Sequence, residues 1–114
     1  MSTNFDDFEQ QRDYRSHMLR SAVVSTFWSA ISTRREAGMK LIDLAEKLKI
    51  NKSAISRWFS GPTPNWSVST ISDLAHVLDV DVEITLRDRK TGEIYTSTGK
   101  KPAEKNDTPP REAA

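Results

Sequence analysis

Two short helical patterns held three residues apart constrain this chain more than any other feature. In and just ahead of "LAEKLKINKSAISRWFSG", Leu44 to Gly61, the first pattern places Leu41, Leu44, Ala45 and Leu48 on one face, and the second places Ala54, Ile55 and Trp58 on one face. Between them stand only Lys49, Ile50 and Asn51. A link that short forces the two helices to fold sharply against each other. Asn51 is a favourable N-cap for the second helix. Gly61, Pro62 and Pro64 end it, because proline lacks a backbone donor and disfavours a helical residue before it. Helices over about 40–48 and 52–60 are therefore expected.

The second of these helices has an uneven surface. At 100° per residue, Lys52, Ser56, Ser60, Ser53 and Arg57 fall in that order within an arc of roughly 140°. Ala54, Ile55 and Trp58 lie behind, with Phe59 at the boundary. The front thus carries Lys, Arg and small hydroxyl residues with no carboxylate. A solvated helix normally mixes both signs of charge, whereas a helix that lies in a DNA groove needs donors and must avoid repelling phosphate.

Net charge is only +1, but its distribution is not even. Residues 12–60 hold ten Lys or Arg against four Asp or Glu, while residues 1–11 are acidic through Asp6, Asp7 and Glu9. The cationic footprint coincides with the helix pair.

The rest of the chain frames that pair. From Tyr14 to Glu36 the pattern is helical, with Leu19, Ala22, Val23, Thr26 and Ala30 on one side and Val24, Trp28 and Ile31 as a second apolar stripe. Either an N-terminal segment carrying Phe5 and Phe8, or the C-terminal strands, or a second subunit is expected to cover these faces. Gly38 supplies a stop. After the loop "GPTPNW", with Asn65 or Ser67 as cap, Val68, Ile71, Leu74, Ala75 and Leu78 make one core face. The period then changes to two: Val82, Ile84 and Leu86 alternate with polar residues, "DRKTG" turns with Gly92 in a left-handed position, and "EIYTST" returns. From Gly99 the composition is that of a disordered tail. The expected organisation is an N-terminal segment or helix extension over 1–13, a helical domain over 14–80, a hairpin over 81–98 and a tail over 99–114. The fold class is mainly α, a helix-turn-helix bundle of four to five helices with a C-terminal β-hairpin.

Catalysis finds little to work with. There is no cysteine, His17 and His76 have no partner at metal-ligand spacing, and no serine sits in a nucleophile turn. No enzyme activity, metal or cofactor is expected. No run is long and apolar enough for a membrane span, and the N-terminus is unlike a signal peptide, so a cytoplasmic protein is expected.

Leu44-Ala45, Leu48, Ile50, Ile55, Ser56-Arg57-Trp58 and Gly61 stand at the spacing found in the lambda-repressor-like family of helix-turn-helix regulators, also called Cro or XRE type, which this chain resembles from Ile31 to Val80. "SDLAHVLDV" resembles the family's next helix. The resemblance implies base contacts from Lys52, Ser53, Ser56 and Arg57, and phosphate contacts from Lys40, Lys49, Asn51 and Ser60. Arg57 fits a bidentate contact to guanine O6 and N7. It further implies double-stranded DNA as partner, a homodimer and a repressor's role. Val24, Trp28, Ile31, Val82, Ile84, Leu86 and Ile94 are the expected dimer surface. Two departures stand out: Lys49 where the family's turn usually has Gly, and Phe59 where it often has an acid. An antitoxin built on the same module, or an adaptor that has lost DNA binding, are the alternative readings.

Overall fold

The computed structural model describes residues 4–103, with side chains from Asp7 onward. Four helices lead into three short strands: α1 (Asn4–Glu36), α2 (Leu41–Leu48), α3 (Lys52–Ser60), α4 (Val68–Leu78), β1 (Leu86–Arg87), β2 (Ile94–Thr96) and β3 (Gly99–Lys101). The chain divides into two units, Met1–Asp81 and Val82–Ala114.

In the helical unit, α2, α3, α4 and the second half of α1 close on one core: Phe27, Ile31, Leu44, Ala45, Ile55, Leu74, Ala75 and Leu78. Three of the four helices end on a residue in the left-handed region. Gly38 at φ 114° ends α1, Lys49 at φ 61° ends α2, and Asp79 at φ 59° ends α4. Each is followed by the same bond pattern. Met39 N–H donates to Arg34 O at 3.0 Å, Ile50 N–H to Ala45 O at 3.0 Å, and Val80 N–H to Ala75 O at 2.9 Å, which satisfies carbonyls that the helix ends leave open. Ser67 caps α4, its hydroxyl accepting from Thr70 N–H at 3.1 Å. At the start of α2 the Asp43 carboxylate accepts from the Lys40 amide at 2.9 Å.

Several expectations need correction. Helix α1 starts at Asn4, so Phe8 extends the helix and cannot fold back over its stripes; the Phe5 side chain lies outside the described residues. The core side of α1 is Phe27 and Ile31, flanked by Val23 and Ala30, whereas Leu19, Ala22 and Thr26 are exposed. Val68 is 82% exposed instead of core, because it is the first residue of α4 and precedes the turn that reaches the bundle.

The second unit is a three-stranded antiparallel sheet in the order β1-β2-β3. Leu86 pairs with Tyr95, and Thr96 with Gly99. The turn "DRKTG" closes as expected with Gly92 at φ 79°. Asp88 Oδ1 accepts from Lys90 N–H at 2.8 Å and from Thr91 N–H at 3.0 Å. Those donors, Thr91 first, hold the Asp88 carboxyl below the usual carboxylate range. The first strand is shorter than its alternation suggested, leaving Val82 and Ile84 in unpaired backbone. Gly99–Lys101 pairs as a third strand instead of opening the tail: the left-handed Gly99 (φ 131°) permits the tight turn, and Lys100 reaches Glu93 at 3.5 Å. Residues 104–114 of the expected tail lie outside the described residues.

Candidate nucleic-acid interface

The front of α3 stands clear of the core. Lys52, Ser53, Ser56, Arg57 and Ser60 are all exposed, while Ile55 is completely buried and Ala54, Trp58 and Phe59 are half-buried behind them. The wheel arrangement is thus realised in space. Among the described residues, Arg57 makes no ion pair, and neither Asp43 nor Glu46 claims its guanidinium. Ser60 is the one hydroxyl of the row turned inward, donating to Ser56 O at 2.8 Å.

Both ends of the helix pair contribute. Lys49 is left-handed where a side chain costs on the order of 1 kcal/mol, and its ammonium stays at the surface. Asn51 occupies the N-cap position of α3 in extended backbone, but its side chain makes no capping bond. Ala54 N–H donates to Asn51 O at 3.0 Å, while the Lys52 and Ser53 amides keep open donors among the described residues at the positive end of the helix dipole. Lys40, just ahead of α2, lines a hollow of about 640 Å³ together with Lys52 and Arg35. Three cations and one acid, Glu36, thus converge beside the start of α3.

What holds α3 in place is aromatic. Trp58 meets Trp66 edge-on at 5.1 Å between centroids, Phe59 lies 4.7 Å from Trp28, and Phe27 meets Trp66 at 5.7 Å. Phe59 is a working part of this seat. Trp66 is the loop anchor that fixes the exit of α3 against α1. Its indole Nε1 is buried without a hydrogen-bond partner among the described residues.

The two arginines at the end of α1 have separate roles. Arg34 is partly buried and donates through Nε and Nη2 to Leu78 O at 3.1 and 2.6 Å. Arg35 stays outside, 6.0 Å from the centre of the Trp28 ring. Sequence reasoning did not place Arg35 with Lys40 and Lys52; only the angle between α1 and α2 makes them neighbours.

The expected subunit surface changes most. Ile31 is fully buried in the monomer core and Ile94 is buried on the middle strand, so neither is available to a second chain. Ile31 lies on the face of α1 that packs into the bundle, which a stripe count could not distinguish from its neighbour. Trp28 is largely engaged by Phe59, and Val24 is half-buried. Val82, Ile84 and Leu86 remain exposed.

No helix among the described residues is long and apolar enough to cross a membrane. Residues 32–84 match the family described as Helix-turn-helix, a span that takes in α2, α3 and α4. Neither a curated protein nor a solved structure matches the chain.

Proposed function

Since residues 32–84 are a helix-turn-helix domain of the lambda-repressor-like family, we propose that this protein is a dimeric, sequence-specific repressor that reads the major groove with α3. The observation that carries the reading is the front of α3, an exposed row of Lys52, Ser53, Ser56 and Arg57 without a carboxylate. Arg57 supplies the most selective contact, its planar fork matching guanine. Lys52, Ser53 and Ser56 complete the base-facing row. Lys40, Lys49, Asn51 and Ser60 position the helix on phosphates, which sets register without reading sequence.

One such helix contacts too few base pairs to find a site in a genome. Two copies on half-sites about one helical turn apart remove that difficulty. The edge strand β1 and the exposed Val82, Ile84 and Leu86 before and within it support pairing between copies, since an open strand edge is a template for another strand. Val24 and the open part of Trp28 supplement it.

The test is fluorescence anisotropy of the purified chain on the DNA upstream of its own gene, beside a scrambled duplex and across a salt series. Preference for the upstream DNA that collapses in Arg57→Ala is the expected result. Equal, weak binding to every duplex, indifferent to Arg57, would overturn the proposal.

A further inference from the structure

Arg34 and Arg35 are neighbours in sequence, but only the first is hydrogen-bonded within the fold, to Leu78 O. Arg35 is exposed and makes no ion pair among the described residues, not even with the adjacent Glu36. Its guanidinium carbon lies 6.0 Å from the centre of the Trp28 ring, and that ring lies 4.7 Å from Phe59 of α3. A cation held over an aromatic face is already restricted, so it gives up less freedom when it meets an anion.

The hollow of about 640 Å³ that Arg35 borders favours such an anion. Lys40, at the N-cap position of α2, and Lys52, the first residue of α3, border it as well. Neither lysine makes an ion pair among the described residues. Leu41 and Ile42, which open α2, stand on the same wall, and their amides have no partner among the described residues. Unfilled first-turn donors at the positive end of a helix dipole attract negative charge. Glu36 is the one acid among the bordering residues, so the hollow stays cationic.

The position of the hollow names its occupant. Lys52 belongs both to this wall and to the front of α3. A helix in the major groove has a phosphate backbone on either side of it. The strand that passes the start of α3 therefore runs across the hollow, and the anion is a phosphate of the duplex whose bases face α3.

We infer that Arg35 is a phosphate-positioning residue of the DNA interface, contributed by α1 from outside the helix pair and preset by Trp28. The inference rests on the DNA-binding reading given above. It concerns affinity for every sequence, however, and not the choice among sequences.

One phosphate contact steepens the fall of log affinity with log salt by about 0.9, which is a factor of about 3.5 over a fourfold rise in salt. Full-length Arg35→Ala, Arg35→Lys and Arg20→Ala proteins, each checked for folding by circular dichroism, are measured by anisotropy on the upstream duplex and on a scrambled one, across such a fourfold rise. Arg20 is the charge-matched control, fifteen residues back and about 22 Å away along the same helix. Arg35→Ala is expected to weaken binding equally on both duplexes, to keep the parent's preference between them, and to lose about 3.5-fold less affinity to salt than the parent. Arg35→Lys and Arg20→Ala are expected to keep the parent's slope. A parental slope in Arg35→Ala, with the parent still preferring the upstream duplex, overturns the inference and leaves the DNA reading standing. An equal change of slope in Arg20→Ala also overturns it, because the effect then belongs to net charge. A reduced slope in Arg35→Ala alone, in a protein with no preference between the duplexes, supports the phosphate contact and overturns sequence-specific reading. Absence of binding to either duplex overturns both.

Discussion

Arg34, at the end of α1, donates two hydrogen bonds to the carbonyl oxygen of Leu78, the last residue of α4. The contact joins the first helix to the last across the whole helix-turn-helix. It also places a cation at the negative end of the α4 dipole, where the last carbonyls have no helical partner. Hydrogen bonds from a charged group are worth about 1.5–3 kcal/mol, so Arg34→Met should lower unfolding free energy by roughly that amount. Arg34→Lys should recover only part, because an ammonium cannot make the forked contact. Urea denaturation of the three proteins measures both.

Packing makes a sharper contrast. Ile55 and Ile31 are fully buried, and truncating either to alanine should cost about 2–5 kcal/mol. Val68 was expected on the core face of α4 by sequence but lies in solvent, so Val68→Ala should stay within about 0.5 kcal/mol of the parent. A large loss at Val68 by thermal or chemical unfolding would contradict the described bundle.

At Lys49 stability and binding should move in opposite directions. Lys49→Gly relieves the left-handed strain and is expected to stabilise the fold by about 1 kcal/mol. If the ammonium also meets a phosphate, the same variant binds DNA more weakly and with a shallower salt dependence. Paired measurements of unfolding and of anisotropy against salt separate the effects.

Base and phosphate contacts leave different signatures. Arg57→Ala should lose about 1–3 kcal/mol of discrimination at one base pair. Lys40→Ala should weaken binding to all sequences and reduce the salt slope by about one ion. Binding to a panel of single-substitution duplexes distinguishes the two patterns.

The turn of the second unit should respond to acid. The folded-state pKa of Asp88 is depressed by the Thr91 and Lys90 amides, so its contribution is present above the ordinary carboxylate pKa and is lost as pH falls through the lowered value. Amide exchange at Lys90 and Thr91 should therefore be slow near neutrality and lose protection in strong acid. In Asp88→Ala the protection should be absent throughout.

The legible parts of the chain were those with local punctuation. The end of α3 follows from Gly61-Pro62 and its start lies at Asn51, though without the expected capping bond; for α4 the sequence left Asn65 or Ser67 as cap, and Ser67 is the one used. The front of α3 followed from geometry alone, because five residues on one arc can be placed without knowing what they face. The core side of α1 was not legible. Its apolar residues surround much of the helix, so periodicity gave no reason to prefer Phe27 and Ile31 over Leu19 and Trp28. Only the helices packed against it make that choice. The left-handed Asp79 gave no glycine signal, and the lysines of Gly99–Lys101 gave no sign of a strand.

The aromatic seat beneath α3 has a practical consequence. All three tryptophans of the chain, Trp28, Trp58 and Trp66, belong to it. The ultraviolet emission of the unmodified protein therefore originates almost entirely behind the front of α3, the surface proposed to face DNA. Any tightening or loosening of that helix is reported by an intrinsic optical probe, with no label attached.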